Sequence, residues 1–450
     1  MEFINLIRDF LWDYIIIALL IFAGLFFSFQ TRFVQFRKLR ESFKLTFGNI
    51  SFRGAKAGEE GMTSFQSLMT SIAAQIGTGN LAGVATAMVL GGPGSVLWMW
   101  VSALLGMAII YAEATLAQTY REKRGNEIVG GPVYYIKAAF KGRLGRYSAI
   151  IFSVLLILAL GFMGNMVQSN SVGQAMQAAF GISPIITGII LGLASLYVFL
   201  GGTQRVAAVT EKVVPIMAVF FAVISIIVVA INFRQIPAAL TDIFVGAFKP
   251  EAVLGGVLGV GIKESIRFGI ARGLFTHEAG MGSTPHAHAL ARVSHPAKQG
   301  LVAMMGVFID TIILLPMTVF VILTTDSLGV TKDGAFLDGI ELTQYAYSLT
   351  LGSFGYPFIA ICVALFAYAT LIGWYFFGEA NVKYLFGKKA VPVYAVLVAI
   401  FIAIGSSLKV EFVWSMADLF NGLMIIPNIL AMFVLYKVVK KASREYDNLD

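Results

Sequence analysis

Residues 65–93 read FQSLMTSIAAQIGTGNLAGVATAMVLGGP. The stretch carries no charge and is long enough to cross a bilayer, whose hydrocarbon core requires about twenty apolar residues. Its middle is Gly77-Thr78-Gly79-Asn80, with Gly83 close behind. A membrane span normally closes every backbone hydrogen bond within its own helix. Two glycines weaken that ladder, and Asn80 sets an amide at membrane depth. A helix interrupted there offers bare carbonyls to a cation and a positive half-helix end to a carboxylate. The competing reading of such small residues is a close helix–helix crossing. The rest of the chain decides between them.

The chain has 450 residues, of which 58% are hydrophobic and 13% charged, with a mean hydropathy of +0.81. No soluble domain buries so much apolar surface, so the fold class is an all-α polytopic membrane protein. The single cysteine, Cys362, excludes an intramolecular disulfide. Residues 10–29 lack a basic start and a small-residue cleavage site, and read as a retained first helix. The net charge of +8 fits loops that face anionic lipid and gives no sign of nucleic acid as a partner.

Hydropathy places further spans at 97–116, 149–167, 185–200, 213–231, 253–281, 301–323, 358–377, 391–404 and 413–435, a total of about eleven. The basic loops follow alternate spans: Arg32 to Lys56, Arg121 to Arg146, Arg205 and Lys212, His286 to Lys298, Lys383 to Lys389, and Lys437 to Arg444. By the positive-inside rule these are cytoplasmic, which puts the N-terminus outside and the C-terminus inside the cell membrane. Phe33, Phe36 and Phe43 among the first of these charges predict a segment resting on the membrane surface. The organisation expected is an N-terminal helix with a basic segment (1–60), a transporter core (61–440) and a cytoplasmic tail (441–450).

Residues 255–285, GGVLGVGIKESIRFGIARGLFTHEAGMGSTP, are too polar for a lipid-facing helix. Lys263, Glu264, Arg267, Arg272 and Glu278 lie there, and a charge at bilayer depth costs about 3 kcal/mol on insertion scales. Gly273, Gly280 and Gly282 punctuate it around Phe275, Thr276 and His277, which predicts a second interrupted helix. Setting the first span aside, the two interrupted helices open two halves of about five spans each. A pair of breaks at matching positions of two halves is a pointer to a transport site at the membrane midplane.

Five segments, IGTGNLAGVATAMVLGGPGSVLWMW, GGPVYYI, GNMVQSNSV, ARGLFTHEAGMGSTP and YATLIGWYFFGE, carry a resemblance to the alanine or glycine:cation symporter family. The resemblance implies one extra N-terminal helix on a LeuT-like 5+5 inverted repeat with two broken helices. It also implies Na⁺ as coupling ion and a small neutral amino acid as substrate. Thr276-His277 stands before Glu278 where many relatives carry Ser-Asn, so the backbone role carries over and any side-chain role there is open.

On that reading the amides of Gly77, Thr78, Gly79 and Asn80 hold the substrate carboxylate. Gln168 lies on the third core span and faces the substrate, or else joins two helices. Thr276 belongs to the second break, and Phe275 and Trp374 are the bulky walls at the side-chain end. Ala367, Thr370 and Trp374 share one helix face. The LeuT-like pattern implies a Na⁺ site of carbonyls near Ala74 and Gly77, with Ala367 and Thr370 opposite. Thr370 bonding back to its own helix is the alternative.

The acids Glu113, Glu278, Asp310 and Glu379 are open to proton coupling, although pairing with Arg267 and Arg272 is favoured. His286, His288 and His295 lack a metal-ligand set and read as a solvated loop. There is no phosphate-binding loop and no HExxH. An ion channel is disfavoured by the lack of a repeated pore motif.

Overall fold

A computed structural model describes residues 2–48, 61–125, 127–249 and 261–449. The predicted positions Arg53 and Lys56 and the first part of the second broken span, 253–260, lie outside the described residues. The chain is helical almost throughout, with two short antiparallel hairpins at residues 122–129 and 331–336. Eight helices among the described residues are long and apolar enough to cross a membrane. The sequence count of about eleven also takes in the two interrupted helices and Pro184–Phe199, which lack a continuous stretch of that length.

The N-terminal helix α1 (Glu2–Gln30) contains one π-helical turn. The first interrupted helix follows as α2 (Ser64–Gln75) and α3 (Ala82–Gly91). Then come α4 (Ser95–Thr119), α5 (Gly142–Phe180), α6 (Pro184–Phe199) and α7 (Gly202–Ile231). The second interrupted helix is α8 (Ile262–His277) and α9 (Pro285–Ala289). It is followed by α10 (Pro296–Thr324), α11 (Gly355–Phe386), α12 (Val391–Gly405) and α13 (Val410–Val434). Helix lengths recur between the halves: 25 and 29 residues for α4 and α10, 39 and 32 for α5 and α11, 16 and 15 for α6 and α12. That recurrence behind a broken helix is the two-half pattern read from the sequence. The first basic segment forms a helix, Leu39–Phe47, with Phe33, Phe36 and Phe43 exposed on its approach and surface.

Helix α2 opens with a reciprocal cap: Gln66 N donates to Thr63 Oγ1 at 3.0 Å and Thr63 N to Gln66 Oε1 at 3.1 Å. It stops at Gln75: Ile76 (φ −81°, ψ 82°) is already out of the helical region, and Gly77 (φ −123°, ψ −151°) is extended. A single 3₁₀ turn, Thr78–Asn80, precedes the restart at Ala82.

The second break falls later than the sequence reading placed it. Gly273, Phe275, Thr276 and His277 are all helical, and Glu278 N still donates to Leu274 O at 2.8 Å. The chain leaves the helix at Glu278 (φ 57°) and runs through Gly280 (φ 91°) and Gly282 (φ 76°). A glycine within a helix lowers its stability without ending it, whereas left-handed backbone favours glycine outright.

What holds this segment is Glu113 of α4. Its carboxylate accepts from Gly280 N at 3.1 Å, Gly282 N at 3.0 Å and Asn428 Nδ2 at 2.6 Å. Asn428 also donates to Gly280 O at 2.9 Å and accepts from the Tyr135 hydroxyl at 2.5 Å. Each buried N–H left unpaired costs about 1–3 kcal/mol. Glu113→Ala is therefore expected to lower the melting temperature of the purified protein in detergent strongly, and Glu113→Gln by less. Equal melting temperatures for Glu113→Ala and the parent would refute the assignment.

Candidate functional site

The residues singled out in the sequence converge where the two breaks meet α5 and α11. A Cβ placed on Gly77 would lie 2.5 Å from Thr370 Oγ1 and 3.0 Å from Gln168 Oε1, so only glycine permits that approach. One placed on Gly79 would lie 2.8 Å from Thr276 Oγ1. Gln168 Oε1 accepts from Thr78 N at 3.1 Å. The side chains of α5, α8 and α11 thus reach the exposed backbone of the first break directly.

Several freed carbonyls of this segment find side-chain partners. Asn80 O accepts from Thr318 of α10 at 2.7 Å, and Leu81 O from Thr343 of the helix Gly339–Leu351 at 2.8 Å. The Thr370 hydroxyl lies 3.0 Å from Ala73 O, 3.4 Å from Ile76 O and 3.1 Å from Phe366 O on its own helix. Its single proton serves one of these at a time, so the back-bond and the cross-helix bond alternate. The carbonyls it meets belong to Ala73 and Ile76, one residue ahead of Ala74 and Gly77. Ala74 instead packs where α11 crosses: a Cβ on Gly373 would lie 3.1 Å from Ala74 N. Ala367 is fully buried on α11.

Four buried polar atoms around the first break have no partner among the described residues: Gln75 Oε1, Thr78 Oγ1, Asn80 Oδ1 and Gln168 Nε2. Three are neutral oxygens and one is an amide donor. Neutral oxygens suit a hard cation, and an amide donor suits a carboxylate.

The second break supplies the aromatic side of the site. Phe275 meets Trp374 edge-on at 5.7 Å between ring centres and Trp414 of α13 at 4.9 Å. The Trp374 indole N–H donates to Glu278 Oε1 at 2.5 Å, and the Ser283 hydroxyl to Glu278 Oε2. Gln75 Nε2 donates to His277 O at 2.8 Å, tying the end of α2 to the end of α8.

The acids do not pair with the arginines named in the sequence reading. Glu113 caps the second break, Glu278 binds Trp374 and Ser283, and Asp310 accepts from Asn80 Nδ2 at 2.6 Å and Thr311 Oγ1 at 2.7 Å. Asp310 sits in a π-helical turn, Phe308–Leu314, a geometry frequent at functional sites. Glu379 pairs with Lys383 at 2.5 Å. Arg272 binds both oxygens of Asp418 at 3.0 and 2.7 Å, and Arg267 meets Asp9 at 2.5 Å and Asp13 at 2.9 Å. The arginines reach α1 and α13, while Glu113, Glu278 and Asp310 bind at the breaks.

His286 and His288 are also not in a solvated loop. Both are buried on α9. His286 Nδ1 lies 2.8 Å from Ser283 O and its Nε2 2.9 Å from Asn381 Nδ2; His288 Nδ1 lies 2.8 Å from Gln299 Nε2. They anchor the short helix after the break. His295 accepts from Ala297 N at 3.2 Å and caps α10.

Trp414 and Asp418 escaped the sequence reading. The signal was available, since Asp418 is a charge inside an apolar run. A cavity of about 520 Å³ opens on the face carrying Arg8, Trp12 and the 331–336 hairpin. Its lining includes Ala82, Ala271, Arg272 and Trp414, and none of Gly77 to Asn80, Gln168, Phe275, Thr276, Thr370 or Trp374.

Two facing helix breaks inside a repeated bundle, with a cavity opening beside them, define a secondary transporter of the LeuT-like fold. Solved structures agree on the fold. That of MhsT in complex with L-phenylalanine covers 86% of this chain and 96% of its own, at 14% identity and a TM-score of 0.58. That of a Na⁺-coupled sialic acid symporter covers 90% and 87%, at 13% identity and a TM-score of 0.58.

The sequence itself goes further: the chain belongs to the sodium:alanine symporter family, matched over residues 1–450. It is 39% identical to the probable sodium/glutamine symporter GlnT of Bacillus subtilis (98% of this chain, 90% of the relative). It is 37% identical to the sodium/alanine symporter AgcS of Methanococcus maripaludis (99% and 97%). The protein is a multi-pass membrane transporter and not an enzyme.

The contact of Gly79 with Thr276 gives a direct check. Gly79→Ala is expected to lower the melting temperature by overpacking, a cost of about 1–3 kcal/mol. Adding Thr276→Ala to the same chain recovers part of the loss. An unchanged melting temperature for Gly79→Ala, or no recovery in the pair, contradicts the geometry.

Proposed function

We propose that the protein carries a small neutral amino acid, alanine or glycine, into the cell together with Na⁺ by alternating access. The observation that carries this reading is the interrupted backbone of Gly77 to Asn80, met by Gln168, Thr276 and Thr370 from three other helices, beside the unpartnered Gln75 Oε1, Thr78 Oγ1, Asn80 Oδ1 and Gln168 Nε2. The amides of that turn and Gln168 Nε2 bind the substrate carboxylate, as positive half-helix ends do. Na⁺ sits among the carbonyls at the end of α2 and the Thr370 hydroxyl, with the Ala74–Gly77 and Ala367–Thr370 segments as its two sides. Phe275 and Trp374 form the wall at the side-chain end. The basic loops put the N-terminus and the large cavity outside the cell, and the C-terminus in the cytoplasm. The core spans 61–440, with α1 as an addition to it.

One relative is named for glutamine and another for alanine, two side chains of different size. A pocket that ends on aromatic rings excludes large side chains by clash, because an apolar pocket separates neighbours by only about 1–3 kcal/mol per methylene. Proton coupling is the second reading. Asp310 and Glu278 are buried with no basic partner among the described residues. One relative, at 36% identity, is named a putative sodium/proton-dependent alanine carrier.

Uptake of labelled alanine into liposomes tests both readings. Uptake is expected to saturate and to require external Na⁺ with no pH gradient; uptake driven by a pH gradient without Na⁺ would transfer the role to the acids. Thr370→Ala, which removes one oxygen, is expected to raise the Na⁺ concentration for half-activation about tenfold, equivalent to about 1.4 kcal/mol. Thr370→Ser retains the oxygen and stays near the parent. If the Thr370→Ala activation curve overlays the parent's, Thr370 is no ligand.

Trp374→Phe keeps a ring but loses the bond to Glu278, so it separates wall from anchor. Competition by unlabelled valine and leucine is expected to strengthen in Trp374→Ala and to change little in Trp374→Phe. An unchanged size ranking in both variants and in Phe275→Ala would place the wall elsewhere.

A further inference from the structure

Trp414 stands between the cavity and the first break. On the cavity side it lines the wall with Ala82, Ala271 and Arg272. On the other side its ring packs on Phe275 at 4.9 Å. A Cβ on Gly83, at the start of α3, would touch its Cη2 at 3.8 Å, an ordinary contact. The ring therefore bridges from α13 to both interrupted helices.

The same tryptophan is held from above. The Arg272 guanidinium carbon lies 4.4 Å from its ring centre, a stacking distance. Arg272 is in turn fixed by two hydrogen bonds to Asp418, one turn further along α13. Planar guanidinium groups suit both tasks at once, since the ring takes a face and the carboxylate takes the edge.

Helix α1, which lies outside the repeated halves, braces this assembly at several points. Trp12 Nε1 donates to Asp418 O at 3.1 Å, and Arg8 Nη1 to Ser415 Oγ at 2.6 Å, so α1 is bound to α13 within the turn that follows Trp414. Asp9 and Asp13 bind Arg267 at 2.5 and 2.9 Å, and Asp13 binds Lys263 at 3.0 Å, so α1 is also bound to α8. The polar bonds on α13 cluster at residues 415 and 418, next to the tryptophan that parts the cavity from the break.

We propose that Trp414 is the lid of the transport site on the cavity side, and that α1, through Trp12 and Asp418, is the strut that sets how readily the lid opens. Only the identity of what passes beneath the lid rests on the transport reading above. Opening takes the ring off Phe275 and Gly83, and joins the cavity to the turn Gly77–Asn80. Closing restores the stack on Arg272. Trp414 is a positioning residue: it bounds the site and need not touch the substrate.

The test uses the full chain with Gly83→Cys, in which the new thiol lies beneath the ring; the native Cys362 is buried. The rate of labelling by a water-soluble thiol reagent is measured on purified protein in detergent, with and without Na⁺ plus alanine. With Trp414 present, labelling is expected to be slow and to change on adding Na⁺ and alanine. In Trp414→Ala it is expected to rise about tenfold and to lose that response, because a lid equilibrium no longer exists to be shifted. Trp414→Phe keeps a ring and retains the response. Trp12→Phe, which keeps the packing but loses the bond to Asp418 O, is expected to raise the rate while the response remains.

Equal labelling rates with and without Trp414, or a solute response that survives in Trp414→Ala, overturn the lid. A parent-like rate in Trp12→Phe overturns the strut. If the parent shows no Na⁺-dependent alanine uptake, the transport reading fails, while the rates without solutes still decide the lid.

Discussion

A backbone interrupted at membrane depth must recover every lost hydrogen bond from within the protein, because lipid supplies none. That constraint governs this structure. The second break is satisfied chiefly by one buried carboxylate, Glu113, with Asn428 and Tyr135 behind it. The first is satisfied by four separate side chains, Gln168, Thr318, Thr343 and Thr370, each from a different helix. The contrast has a physical consequence. A segment held by one fixed carboxylate behaves as a rigid end stop. A segment held by four neutral groups from four helices is re-sorted whenever those helices move.

The two breaks are also joined to each other. Gln75 at the end of α2 donates to His277 O at the end of α8, and Asn80 reaches Asp310 in α10. Trp374 of α11 binds Glu278 at the second break, while Thr370, one turn earlier on the same face, reaches the first. A displacement of α11 therefore acts on both breaks together. This is the kind of linkage that lets an ion at one break alter affinity for a substrate held by the other, and such coupling is reciprocal by necessity.

Much of this was legible in the sequence. The glycines of IGTGN mark the first break because Thr370 and Thr276 approach too closely for a side chain, those of EAGMGS mark the second because the backbone there is left-handed, and Asn80 and Glu278 flag polar groups at depth. The second break lies about one turn beyond Gly273, which is as conspicuous in the sequence as Gly280 yet stays helical. The pairing of charges was not legible. Arg272 has several acids available by composition, and only the packing of α13 beside α8 selects Asp418. The burial of the histidines is not legible either, because a hydrophilic-looking run PHAH follows a break and nothing local shows that Asn381 and Gln299 bind it. Trp414 was passed over because a single tryptophan in an apolar span looks like any packing residue until its neighbours are known.

The central claim is that ion and amino acid occupy adjacent parts of one site built on the two breaks. Equilibrium binding of labelled alanine to the purified protein, measured across a range of Na⁺ concentrations, tests it most directly. The account predicts saturable binding that tightens as Na⁺ rises, together with Na⁺ binding that tightens by the same factor when alanine is present. Alanine binding of equal affinity in Na⁺ and in K⁺ would contradict it.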